Sequence, residues 1–300
     1  MKLTFGIIVL NGGFFLRQVL ESIYPFAHKI CIAEGPVKWF VDQGVLQSTD
    51  DTLDIIKNFP DTENKIVLTS GTYIEKDDQC RAWFAHVPSD TDYVVCNDAD
   101  EVHTPENLEK LIQFLEKEKP TSVGFKSDSF YGGFQHIIGG FERDHSFKRV
   151  LQYIPMCYYR THRQPTLISN GKDIEGKDIS GNQLCEATGI TMPHFSYTSP
   201  LAVKRKIEYY EKGGVISAGN CIPNYFIDVF MKWVLFPDQR QTIEDTWLGV
   251  QEFLPIARGY QHTRTEPYYG ILPDVIIRDM PELQARFHKE LQECINAIKL

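Results

Sequence analysis

The feature that most constrains this chain is an alternation, through its first 130 residues, of short apolar runs with amphipathic stretches. Residues 3–10, 29–34, 65–69, 93–97 and 122–125 are brief runs rich in Val and Ile, the composition of parallel strands buried on both faces. Between the first two, Leu16, Val19, Leu20 and Ile23 recur at helical spacing. Ser48, Thr49, Asp50 and Asp51 offer N-cap side chains to a helix carrying Leu53, Ile56 and Phe59. After the fourth run, Thr104 is a natural N-cap and Pro105 fits the first helical position. Leu108, Leu111, Ile112 and Leu115 then make the apolar stripe. Strand–helix alternation of this kind predicts an α/β fold with a doubly wound, mostly parallel, Rossmann-like sheet.

Past residue 130 the pattern changes. Gly132-Gly133 and Gly139-Gly140 bracket a flexible stretch, 147–154 reads as a further strand, and 170–182 reads as a polar, Gly-rich loop. Residues 200–212, 225–235, 242–254 and 280–298 are helical in character. Three stretches result: 1–130, 131–200 and a helical C-terminal extension, 201–300.

Three hundred residues, 42% apolar and 24% charged, suffice for one sizeable α/β domain. A net charge of −9 argues against a nucleic-acid partner, which needs a basic face to displace counterions. It still permits a nucleotide, whose phosphates a metal and a few local cations can hold. Seven cysteines, scattered and without a C-x-x-C pair, suit free thiols in a reducing, cytoplasmic setting. The N-terminal apolar run stops at Asn11-Gly12-Gly13 and carries a single basic residue, so it is expected as a core strand rather than a signal peptide. No apolar run approaches the ~20 residues of a membrane span.

Two D-x-D sequences flank the fourth run. In an open parallel sheet, ligands collect beyond the carboxyl ends of the strands. Asp90-Thr91-Asp92 precedes the run and falls at the wrong end; Asp98-Ala99-Asp100 follows it and falls where a ligand would sit. Mg²⁺ and Mn²⁺ prefer hard oxygen ligands, and one or two carboxylates leave room for diphosphate oxygens. Asp100 is the expected direct ligand, with Asp98 acting on the metal, through water, or on the ribose.

A family resemblance follows from these residues together. Val9-Leu10-Asn11-Gly12 after the first run, Glu34-Gly35 after the second, Ser48-Thr49-Asp50-Asp51-Thr52, Gln79-Cys80-Arg81, and the run ending in Asp98-Ala99-Asp100-Glu101 resemble the opening of family-2-type GT-A glycosyltransferases. The resemblance implies a metal-dependent transferase moving a sugar from a nucleoside diphosphate sugar, UDP first, to a hydroxyl of a glycan or other acceptor. It makes 1–130 the nucleotide-sugar half and 131–200 the acceptor half. Val9 and Asn11 would line the base pocket, Glu34 would bind the nucleoside, and Arg81 would lie near the base or diphosphate. Pro193-His194-Phe195-Ser196-Tyr197 resembles a segment in which a strand-borne His completes the metal site, giving Asp98, Asp100 and His194 as ligands of Mn²⁺ or Mg²⁺. Lys204 or Lys206 could pair with phosphate.

The chain departs from the family where inverting members carry a downstream Glu-Asp pair as general base. Glu142, Asp144 and Glu186 are the carboxylates that could serve, and the residues alone do not choose among them. Aromatics crowd 130–159, of which Tyr131 is the candidate for stacking on a sugar. Three rivals are a haloacid-dehalogenase-type phosphatase using Asp98 as nucleophile and Asp100 as acid/base, a nucleotidyltransferase, and a catalytically degenerate carbohydrate-binding module. The phosphatase would need a later Gly-Asp strand end that the chain lacks, and the nucleotidyltransferase a basic residue after the first strand.

Overall fold

A computed structural model describes residues 1–212, 224–247 and 263–298 of the chain. In chain order the elements are β1 (Leu3–Val9), α1 (Leu16–Ile23), β2 (Ala27–Glu34), α2 (Lys38–Asp42), α3 (Thr52–Asn58), β3 (Ile66–Ser70), α4 (Lys76–Phe84), β4 (Tyr93–Asp98) and α5 (Pro105–Glu118). Then come β5 (Ser122–Tyr131), β6 (His136–Ile138), α6 (Gly140–Asp144), β7 (Ser146–Gln152), β8 (Tyr158–Thr161), β9 (Thr166–Ser169), β10 (Lys172–Asp173), β11 (Asp178–Ile179) and α7 (Gly181–Thr188). The rest comprises β12 (Met192–Tyr197), α8 (Pro200–Lys212), a π-helix (Phe226–Met231), α9 (Lys232–Leu235), α10 (Arg240–Trp247), β13 (Thr265–Pro267) and α11 (Asp274–Ile298). The chain divides into two compact units.

The first unit holds residues 1–127, 146–192 and 273–275. Its strands run in the order β5-β7-β4-β1-β2-β3. β1 is parallel to β2 and β4, and β2 to β3; β7 runs antiparallel to both β4 and β5. The chain winds outward from β1 to β3 and then returns to place β4 on the other side of β1, which makes the β1–β4 boundary a topological switch point. Leu3, Phe5 and Ile7 of β1 and Ile30 and Ile32 of β2 have no exposed surface, as central strands covered on both faces require. Gly6 permits one close approach, since a Cβ there would lie 2.4 Å from the Trp83 ring of α4. Thr104 caps α5 by accepting from the Asn107 amide at 3.1 Å, with Pro105 at the first helical position. A small sheet, β10-β9-β8, belongs to the same unit, and the backbone of its Tyr159 holds α4 through Arg81.

The second unit holds residues 128–145, 193–272 and 276–300. The end of β5 pairs with β6 at Phe130 and Ile137, and β6 pairs with β13. Its core gathers Tyr131, Tyr197, Val203, Ile207, Phe230 and Trp233, all nearly or wholly buried. Gly132, at φ +63, passes beneath Trp233, where a Cβ would fall 2.3 Å from the indole.

Several expectations are refined. The run expected to end at residue 125 continues to Tyr131, because Ser127, Asp128 and Ser129 are buried within the strand and interrupt its apolar signal. The supposed loop 170–182 contains β10, β11 and the start of α7, which Ser180 caps through Gln183. The helix expected from 280 begins at Asp274 and runs through Pro281. Of the helix expected over 242–254, residues 248–254 lie outside the described residues. Cys31, Cys80, Cys96, Cys157, Cys185 and Cys294 are free thiols; Cys221 lies outside the described residues. Burial pushes the Cys31 and Cys96 thiols up to about 12, so they behave as small apolar side chains. Among the described residues no helix is long and apolar enough to cross a membrane.

Candidate active site

The register of the first unit sets three strand tips at one level. Val9 lies opposite Glu34 across β1 and β2, and Ile8 lies opposite Asp98 across β1 and β4. The loops leaving these tips carry Asn11, Glu34 and the Asp98–Glu101 turn. Gly12 brings the first loop against the turn, since a Cβ there would meet that of Ala99 at 3.2 Å.

On the β1–β2 side, the loop after β1 is fastened to the segment before α3. Asn11 adopts φ +54, which Asn tolerates well, and its Oδ1 accepts from the Thr49 amide at 2.7 Å and the Asp50 amide at 3.3 Å. Ser48 Oγ in turn accepts from the Asn11 amide at 2.9 Å. Glu34 has no exposed surface. Its Oε1 accepts from the Ser48 amide at 2.7 Å, while its Oε2 is buried without a hydrogen-bond partner. A buried carboxylate oxygen in that state is suited to a donor brought by a ligand. Val9 is 4% exposed, and its carbonyl accepts from the Gly35 amide at 2.9 Å.

On the β4 side, the turn is held from behind by buried polar groups. Asn97 donates from Nδ2 to the carbonyls of Asp98 (2.8 Å) and Glu101 (3.0 Å), and its Oδ1 meets His103 Nε2 at 2.8 Å. Burial, followed by the positive charge of Arg149, lowers the His103 pKa to about 4, so its ring is neutral at pH 7. Glu101, with no exposed surface, folds back to accept from the Asp98 amide at 3.0 Å. Arg149 of β7 completes the arrangement. Its Nε donates to both Glu101 oxygens at 2.9 and 3.1 Å, and its Nη2 donates to Asp98 Oδ2 at 2.7 Å. Burial opposes the Arg149 charge, but the Asp98 and Glu101 carboxylates outweigh it and raise its pKa above that of free arginine. Asp98 keeps 43% of its side chain exposed, and Asp100 is half-buried on the same turn.

The remaining candidates lie on other elements. Arg81 donates to Asp78 Oδ1 (2.8 Å) and to the carbonyls of Tyr159 (3.2 Å) and Arg160 (2.8 Å), so its guanidinium clasps α4 to β8. Glu186 is exposed on α7. In the second unit, Glu142 is buried and Asp144 exposed on α6, and His194 is buried on β12. Lys206 donates to Ser196 Oγ and carbonyl and lies 4.7 Å from the Tyr197 ring. Tyr131 has no exposed surface and bonds Tyr225 Oη at 2.8 Å, which makes it a core residue and removes it as a stacking platform. Arg149 and His103 went unread in the sequence. The available signal for Arg149 was a basic residue next to Val150 and Leu151 in an expected buried strand, since a buried arginine requires carboxylate partners.

The family model for glycosyl transferase family 2 matches residues 39–169. Over those residues the chain is similar to this family. The matched segment includes Ser48–Thr52, Arg81, the Asp98–Glu101 turn and Arg149, and begins just past Glu34. Among solved structures, Staphylococcus aureus TarS 1-349 in complex with UDP is 16% identical over 45% of this chain and 38% of that one, with a TM-score of 0.33. TarS 1-349 alone is 10% identical over 84% of this chain and 76% of that one, with a TM-score of 0.39. Glucosyl-3-phosphoglycerate synthase from Mycobacterium tuberculosis, in complex with Mn²⁺, UDP and glucosyl-3-phosphoglycerate, is 18% identical over 43% of this chain and 44% of that one, with a TM-score of 0.26. The chain thus spans well under half of the UDP-bound TarS structure. No curated protein matches it.

Proposed function

We propose that this chain is a glycosyltransferase that moves a sugar from a nucleoside diphosphate sugar, UDP-sugar first, to a hydroxyl of a glycan or other acceptor, assisted by Mn²⁺ or Mg²⁺. The observation that carries this reading is the common level of three strand tips at the switch point. Glu34, with one buried oxygen awaiting a donor, stands on one side, and the carboxylate turn of Asp98–Glu101 stands on the other. Val9, Asn11 and Glu34 would take the nucleoside, a ribose hydroxyl or base N–H supplying the missing hydrogen bond. Asp98 and Asp100 place carboxylate oxygens on one turn, hard donors of the kind that Mn²⁺ or Mg²⁺ prefers. Asp98 and Asp100 would hold the ion, with His194 proposed as a third ligand and Lys206 as a phosphate partner. The bound ion would offset negative charge growing on the departing nucleoside diphosphate.

Asp144 and Glu186 are the proposed general bases. Replacing the true base by Ala should abolish transfer to acceptor while leaving donor binding intact. The overall reading is tested by slow hydrolysis of UDP-glucose and UDP-GlcNAc with Mn²⁺. Activity that requires the ion and disappears in Asp100→Ala supports it; full activity in EDTA, or in the variant, contradicts it. Release of phosphate from a phosphomonoester would favour the phosphatase instead. A thermal-shift panel of UDP-, GDP- and dTDP-sugars identifies the base, because a ligand that binds only the folded state raises the Tm.

A further inference from the structure

Arg149 bonds directly to two carboxylates of the Asp98–Glu101 turn. Its guanidinium has only 13% of its side chain exposed, and two of its nitrogens reach two different carboxylates. Glu101 is wholly buried and also holds the Asp98 amide, so it fixes both the guanidinium and the start of the turn. Asp98 is therefore gripped at Oδ2 from the sheet side while much of its carboxylate faces outward. A planar fork achieves this geometry; a single ammonium can satisfy one carboxylate well but cannot span two in the same way.

We infer that Arg149 is the positioning residue of this turn: it sets the Asp98 carboxylate for its ligand and supplies a resident positive charge that tempers the turn's attraction for a divalent cation. The inference deepens the metal-assisted reading proposed above, and rests on it for the identity of the cation. Two consequences pull in opposite directions. Removing the Arg149 charge adds one negative charge to the turn and strengthens cation binding. Removing the fork also frees Asp98 to leave its productive orientation, which slows turnover. A residue that served only to stabilise the fold would produce the second effect without the first.

The test measures Mn²⁺ binding alone, by the loss of the free-ion signal in electron paramagnetic resonance, for the full chain and for Arg149→Gln and Arg149→Lys. Arg149→Gln should bind Mn²⁺ on the order of 10-fold more tightly than the parent, while kcat for UDP-sugar hydrolysis falls. Arg149→Lys, which keeps the charge, should bind Mn²⁺ within about two-fold of the parent and still lose kcat at an unchanged donor KM. Unchanged or weaker Mn²⁺ binding in Arg149→Gln overturns the inference, as does Arg149→Lys binding like the Gln variant. Should Arg149→Gln fail to fold, Arg149→Lys decides, and parental kcat in that variant overturns the inference. A parent that ignores Mn²⁺ counts against the metal reading; Arg149→Gln gaining the ion would still support the charge assigned to Arg149, and no gain would overturn it.

Discussion

The same three-residue pattern stands at both ends of β4, and the two copies have different surroundings. Asp90-Thr91-Asp92 enters the strand. Asp90 is exposed and pairs with Lys2 and His28, and Asp92 accepts from the Lys2 amide at 2.7 Å. The Lys2 and His28 hydrogen bonds hold the Asp90 pKa down at about 2, so those neighbours already satisfy its charge. Asp98-Ala99-Asp100 leaves the strand at the switch point, backed by Asn97, Glu101, Arg149 and a neutral His103. The difference shows that a D-x-D sequence acquires meaning from the end of the sheet it occupies and from the buried groups behind it. Exposed ion pairs contribute little to stability or rigidity, whereas a buried, multiply bonded pair defines a geometry.

This contrast can be broken by experiment, and the largest effect should be on activity. Asp98→Ala should lower Mn²⁺-dependent turnover of a UDP-sugar on the order of 10²–10³-fold, while Asp92→Ala should stay within about two-fold of the parent. Comparable losses in both variants would dissolve the distinction. Next comes stability. Glu101→Ala leaves a buried guanidinium without its main partner and should cost about 3–5 kcal/mol in urea denaturation; Asp90→Ala should leave the denaturation midpoint where it is.

The smallest effect is a pH dependence that sharpens the comparison. The folded His103 pKa, about 4, lies below the ordinary imidazole value of 6.5. The unfolded chain therefore takes up the proton first as pH falls. The contribution of neutral His103 is complete above pH 6.5 and is lost between there and pH 4, amounting to about 3 kcal/mol at most. His103→Asn should flatten that part of the stability profile. An unchanged slope would mean that the ring behind the turn is not buried in its neutral form.

Much of this contrast was legible in the chain itself. The alternation of Val/Ile runs with capped amphipathic stretches, together with the rule that ligands gather beyond strand carboxyl ends, was enough to separate Asp98–Asp100 from Asp90–Asp92. Thr104 and Pro105 marked the start of α5 because capping is a local property, readable from neighbouring residues. Arg149 was not legible as a partner of Glu101. Forty-eight positions separate them, and they meet only because β7 returns antiparallel beside β4. The buried state of Tyr131 was hidden for a similar reason, since its hydroxyl is satisfied by Tyr225, 94 residues away. The sequence extent of β5 was misread because Ser127, Asp128 and Ser129 are polar residues inside a buried strand, a pattern that resembles a loop until its partners are known.

The most direct measurement is an anomalous difference map, recorded at the manganese edge, from crystals soaked with Mn²⁺ and UDP. A peak within coordination distance of Asp98 or Asp100, with the ribose beside Glu34, is the expected result. A peak seated instead on Asp90–Asp92, or nucleotide bound away from the tips of β1 and β4, would contradict the account.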